Sequence, residues 1–154
     1  MRGYSAIGLV RPKTSVNVGS VLRAAQIYEA GLVVVQGARC EIRSSTDTMK
    51  AYRHLPVQRT EDLHNAIPFD CVPVGIDLVE GAESLFSFQH PQRAFYVFGP
   101  EDGTLGKAHL NWCKHRVMVP TKGCMNLAAT VNVVLYDRAM KADRMARGQK
   151  WSAA

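Results

Sequence analysis

An α/β fold, with a mostly parallel sheet flanked by helices, is predicted by two features of this 154-residue chain. Short apolar runs rich in β-branched and aromatic residues alternate with stretches of helical periodicity, the pattern of strand–helix–strand units. Hydrophobic residues make up 47% of the chain, enough for one domain of this length to bury its own core. The sequence has no internal repeat, low-complexity tract or linker, so residues 1–154 are expected to form a single domain, with 137–154 as a basic C-terminal helix and tail.

The elements follow in order. Residues 6–10 (AIGLV) read as the first strand. Asn17 is placed to cap a helix over 18–30, with Gly31 as its stop. Residues 32–36 (LVVVQ) form a buried, β-branched strand, and 37–59 are polar and irregular, with room for some helix near 47–52. Thr60-Glu61-Asp62 opens a short helix to about residue 67, and 71–76 is another strand. A turn of helix is expected at 83–86 and a strand at 94–98, ended by Gly99-Pro100. A helix over 107–114, a strand over 116–119 and a long helix over 125–147 complete the chain.

Composition narrows the function classes. No apolar run approaches the roughly 18–20 residues that cross a bilayer. The run at 6–10 is too short for a signal-peptide core and ends at Arg11, so a cytoplasmic protein is expected. Cys40, Cys71, Cys113 and Cys124 stand at no metal-ligand spacing and the five histidines are scattered, so neither a metal nor a disulfide framework is expected. The net charge of +6 is unevenly spread: residues 1–60 carry +6, 61–106 carry −7 and 107–154 carry +7. If the two cationic ends share a face, that face attracts a polyanion.

Three segments hold candidate chemistry. Asn17-Val18-Gly19-Ser20-Val21-Leu22-Arg23 places Gly19 and Arg23 on one helix face, leaving room for a ligand to approach the arginine. Phe98 to Gly106 is a glycine-rich loop with Glu101, directly after a strand, where ligands of parallel sheets collect. Residues 119–136 run from a strand end through Pro120 into a helix apolar on nearly every side, with Asn126 at its start. Taken singly, these are also an ordinary capped helix, a turn and a core helix. Farther on, Arg138, Lys141, Arg144, Arg147 and Lys150 recur every three residues, a stripe suited to a phosphate backbone or to plain solvent.

In combination the motifs are specific. Asn-x-Gly-x-x-x-Arg at 17–23, Phe-Gly-x-Glu at 98–101 and a Val-Pro loop leading to Met-Asn-Leu at 125–127 resemble the three motifs of the SpoU/TrmH family of SPOUT RNA methyltransferases. The resemblance spans residues 8 to about 136. It is closest in outline to the minimal, TrmL-like tRNA (cytidine/uridine-2′-O-)-methyltransferases, which lack an added RNA-binding domain.

That resemblance implies a deep trefoil knot in the C-terminal part, an exception to unknotted topology. It implies S-adenosylmethionine held in a bent shape near 75–77, 99–101 and 119–127, with Ile76, Gly99, Val119, Cys124 and Leu127 as cofactor-binding residues. Arg23 is the implied catalytic residue, supported by Asn17, Glu101 and Asn126. Homodimerisation through the first and last helices is implied, with Arg23 serving the partner's cofactor site. RNA, tRNA foremost, is the implied substrate, with Arg11, Arg23, Arg138, Lys141 and Arg144 expected to bind it. The alternatives are a ribosomal RNA target and a non-catalytic RNA-binding member. A ribose 2′-hydroxyl must be oriented or deprotonated to attack a methyl carbon, and an arginine stays protonated, so positioning is the role expected of Arg23. Three departures stand out: Cys124 and Ala128 occupy frequent serine positions, and Gly103 follows Glu101 by two residues instead of three.

Overall fold

The computed structural model describes residues 3–42 and 50–148. Seven strands form one sheet: β1 (Tyr4–Val10), β2 (Leu32–Gln36), β3 (Val57–Thr60), β4 (Val72–Ile76), β5 (Glu83–Ser84), β6 (Arg93–Phe98) and β7 (His115–Met118). Their spatial order is β3-β2-β1-β6-β4-β7-β5, and every pairing is parallel. The central strands β1 and β6 are buried almost throughout, as expected when both faces of a parallel sheet are covered. Gly8 of β1 is required there, because an added Cβ would lie 2.7 Å from the Phe95 ring and 2.9 Å from Leu63.

The helices α1 (Ser15–Ile27) and α3 (Leu127–Ala146) pack together over one face. Val18, Val21 and Leu22 of α1 and Val131, Val134 and Leu135 of α3 fill that core with Ile7, Leu9, Tyr96 and Phe98. The short α2 (Lys107–Leu110) and the segment around Leu63 close the other face over Val34, Phe95 and Val97. No described helix is long and apolar enough to cross a membrane, and the described residues contain no cluster of three metal-ligating groups.

Several expectations are corrected. Thr14, not Asn17, caps α1: its hydroxyl accepts from the Asn17 amide at 3.3 Å, and the helix begins three residues earlier than expected. It also ends early, at Ile27 with Glu29 in the left-handed region (φ 58°); Gly31 instead makes room for the Tyr4 ring. The segment at 60–67 gives only one 3₁₀ turn, His64–Ala66. Within the irregular stretch, β3 adds a strand that sequence patterning hides, and a 3₁₀ turn covers Ala51–Arg53; residues 43–49 of that stretch lie outside the described ones. The turn of helix expected at 83–86 begins as the edge strand β5, paired with β7. α2 stops at Leu110, short of residue 114, and β7 starts one residue before its expected position.

The basic stripe on α3 is largely structural. Arg138 donates to the carbonyls of Pro91 (2.7 Å), Gln92 (2.8 Å) and Tyr4 (3.3 Å) and to the Tyr96 hydroxyl (3.0 Å). Lys141 is buried; its ammonium donates to the carbonyls of Leu85 (2.6 Å) and Phe88 (2.9 Å) and pairs with Asp137 at 2.7 Å. His90 bridges Tyr96 (2.6 Å) and Asp137 (2.8 Å). Burial lowers its pKa against the pull of Asp137, and burial pushes the Tyr96 phenol up to about 12. Lys141 is thus enclosed and Arg138 half-buried, each held by partners within the fold where an exposed RNA-binding stripe was expected. Arg147 pairs with Asp143 at 3.0 Å, and Lys150 lies outside the described residues.

Candidate active site

The carboxyl ends of β6, β4 and β7, neighbours in the sheet, surround a cleft. Ile76, Asp77 and Leu78 leave β4; Phe98 to Gly103 leave β6; Val119 to Met125 leave β7; and Leu127 and Thr130 close the wall from the first turns of α3. All five residues expected at a cofactor site, Ile76, Gly99, Val119, Cys124 and Leu127, line this one cleft, together with Glu101. Cys124 is exposed at its edge, where a thiol fills the position.

The loop after β6 folds tightly on itself. A Cβ on Gly99 would lie 2.9 Å from the Leu105 amide nitrogen and 3.1 Å from the Thr104 carbonyl carbon, so only glycine fits without moving backbone. Asp77 fixes the closure: one carboxylate oxygen accepts from the Leu105 amide (3.0 Å) and the other from Leu78 (2.8 Å). The resemblance put a cofactor loop at 75–77 but gave Asp77 no role of its own; the local signal was a carboxylate just after a buried strand.

Three distant segments meet beside the cleft. Asn126 is the N-cap of α3, its oxygen accepting from the amides of Ala128 (2.9 Å) and Ala129 (3.3 Å). Its NH₂ group donates to the Asn17 oxygen at 2.8 Å, and the Asn17 NH₂ donates to Glu101 at 3.1 Å. The other Glu101 oxygen accepts from the Lys13 amide at 2.8 Å. Burial pushes the Glu101 pKa up, but amide donors from Glu101 itself, Lys13 and Thr14 and the Asn17 side chain outweigh it, leaving a net lowering. This carboxylate stays charged and acts as an acceptor. Asn126 is more exposed than its apolar neighbourhood implies, and its partners are Asn17 and the helix start.

Arg23 does not line the cleft. Six residues beyond Asn17 on α1, it lies about 9 Å farther along the axis, exposed. Helical spacing puts it on one stripe with Val16 and Ile27, which are 54% and 55% exposed. Of the other residues expected to touch RNA, Arg11 is exposed at the end of β1 and Arg144 is half-buried on α3.

The chain belongs to the SpoU rRNA Methylase family, whose model matches residues 5–136; these are RNA methyltransferases dependent on S-adenosylmethionine. Among solved structures, the SpoU methyltransferase AviRb from Streptomyces viridochromogenes in complex with AdoMet is similar, at 20% identity and a TM-score of 0.79, covering 93% of this chain and 62% of that one. A structure from work on the 2-OH methylation of C/U34 on tRNA aligns at 18% identity and a TM-score of 0.78, covering 92% of each chain. An AdoMet-bound rRNA methyltransferase from Sinorhizobium meliloti aligns at 17% identity and a TM-score of 0.78, covering 91% and 57%. The chain therefore spans less than two thirds of AviRb. No curated protein sequence matches it.

The cleft suits such a cofactor. Ile76, Leu78, Phe98, Val119 and Leu127 offer apolar walls to a purine, and the turns at 99–103 and 121–125 offer backbone edges for its polar groups. Asp77 and Glu101 are the charged lining residues, with no Lys or Arg among those described, which favours a cationic sulfonium.

Proposed function

We propose that this chain transfers a methyl group from S-adenosylmethionine to a ribose 2′-hydroxyl of RNA, with tRNA as the foremost substrate, and that it works as a cytoplasmic homodimer of TrmL-like outline. The observation that carries the reading is the Asn126–Asn17–Glu101 hydrogen-bonded chain, which gathers the three motifs at the rim of one cleft. The structure from the work on 2-OH methylation of C/U34 on tRNA, matched over 92% of each chain, favours tRNA as the substrate. The family description, which speaks of rRNA, favours a ribosomal target as the second reading. We read the segments at 99–106 and 119–126 as the family's knot.

When bound, the cofactor supplies an electrophilic methyl on a sulfonium. The protein holds the rest in place: Asp77 and Gly99 shape the loop after β6, and Asn126 aligns α3, α1 and Glu101. Arg23 stands outside the lining of its own cleft on the outer stripe of α1, and we read it as serving the cleft of a second copy, clamping a phosphate and orienting the hydroxyl. The exposed apolar residues Val16 and Ile27 on α1 and Val133 and Tyr136 on α3 supply the surface for that second copy.

The test incubates the protein with methyl-labelled S-adenosylmethionine and total RNA, separates tRNA from ribosomal RNA and digests each to nucleosides. Label on a tRNA ribose is the expected result; label on ribosomal RNA selects the second reading, and label on a base overturns both. Arg23→Ala is expected to abolish transfer with cofactor affinity nearly unchanged, and a large loss of affinity would refute the role given to it.

A further inference from the structure

Because all seven strands are parallel, their carboxyl ends lie along one edge of the sheet. The cleft takes the β6-β4-β7 part of that edge. The adjoining β1 and β2 ends present Lys13 and Arg39, and both reach back to Asp102, the residue after Glu101. Arg39 holds the Asp102 carboxylate with two nitrogens, at 3.1 and 2.7 Å, the fork geometry in which guanidinium also grips phosphate. Lys13 stands 3.9 Å from the same carboxylate. Arg39 holds Asp102 down to a pKa of about 2, so it is a fixed anion.

Two further bonds keep the fork aimed. Arg39 Nε and Nη2 donate to the Arg11 carbonyl at 3.2 and 2.8 Å, independently of Asp102. The three side chains remain open to solvent, at 32% for Arg39, 43% for Asp102 and 57% for Lys13. An exposed carboxylate pair contributes little stability, whereas a polyanion that releases counterions gains on every phosphate engaged.

We propose that Arg39 and Lys13 form a phosphate-binding site for the RNA strand beside the cofactor cleft, with Asp102 holding the phosphate's place until RNA arrives. The site rests on the RNA methyltransferase reading above and adds to it a grip next to the Glu101 relay. Engaging the strand there exchanges the Asp102 carboxylate for a phosphate on the same two cations, and Asp102 itself does not line the cleft.

The experiment measures binding of a single-stranded uridine homopolymer across a salt series, cofactor affinity, and methyl transfer to total RNA, for the wild type and for Arg39→Gln, Lys13→Gln and Asp102→Asn. Arg39→Gln is expected to weaken RNA binding about tenfold and to flatten the slope of log affinity against log salt by about 0.7, one phosphate contact on a single strand. Lys13→Gln, a substitution at a mostly exposed side chain, should shift both in the same direction and carries the test if Arg39→Gln does not fold. Asp102→Asn should tighten RNA binding while leaving cofactor affinity unchanged. Unaltered slopes in both cation variants overturn the site. So does an Asp102→Asn protein that loses cofactor affinity and gains none for RNA, since the ion pair would then be only a brace for the loop. A wild type that transfers no methyl sinks the enzyme reading instead, and the homopolymer slopes still decide the phosphate site.

Discussion

Asn126 makes three bonds with one side chain, and two of them are separable by substitution. Asn126→Ala removes both the cap and the bond to Asn17; loss of such a cap costs about 1 kcal/mol, read as a lowered midpoint in denaturant unfolding. Asn126→Asp keeps the capping oxygen but loses the donor to Asn17, so it should retain most of the stability while methyl transfer falls at least tenfold. Equal losses of stability in the two variants would show that the cap was not what the alanine removed. The three motif residues Asn17, Glu101 and Asn126 were legible through the resemblance of their combined motifs to the SpoU/TrmH family, since each motif alone also reads as ordinary structure. The capping role of Asn17 was misread, since Thr14, three positions earlier, is also a favoured cap and takes that place. Lys13 and Arg39 carried no local signal: the carboxylate they share lies 89 and 63 positions away, and a charged residue in a loop is ordinary by itself.

At the scale of the element, α3 divides into two working halves. Its first turns wall the cleft, and its C-terminal half is locked to the amino edge of the sheet through Arg138 and Lys141. A three-residue spacing of cations was visible in the sequence, but a helix repeats every 3.6 residues, so those positions drift around the axis instead of sharing one face. Arg138 and Lys141 fall where carbonyls of residues 85–92 point toward the helix and accept from them. Lys141→Met should destabilise the fold by about 3 kcal/mol, because it removes the buried donor to two carbonyls and one of the partners of Asp137, yet leave the salt slope of RNA binding unchanged. A lowered slope in a folded Lys141→Met protein would restore this residue to the RNA surface. The central strands were readable as apolar runs. β3 and β5, four and two residues long at the sheet edges, were not, since their pattern is too short to show a period.

At the scale of the whole molecule, the proposed chemistry pairs the cleft of one copy with Arg23 of another. The cleft lies at the N-terminal end of α1, whereas Arg23 rides with Val16 and Ile27 on the outer stripe of that helix. Mixing an Arg23→Ala chain with a Gly99→Val chain, neither active alone, should restore part of the transfer as mixed dimers form. Absence of any recovery, with mixed dimers demonstrated by mass, would place Arg23 in its own subunit's reaction or outside it. The strand order has a consequence for how the molecule comes into being. β1 lies between β2 and β6, and Asn17 finds its amide partner 109 positions downstream, so nearly the entire chain must be synthesised before the cleft exists. Contacts so distant in sequence close slowly. Nascent chains ending before residue 126 should therefore be blind to the cofactor, and the appearance of cofactor affinity during translation would mark the moment at which the last helix docks.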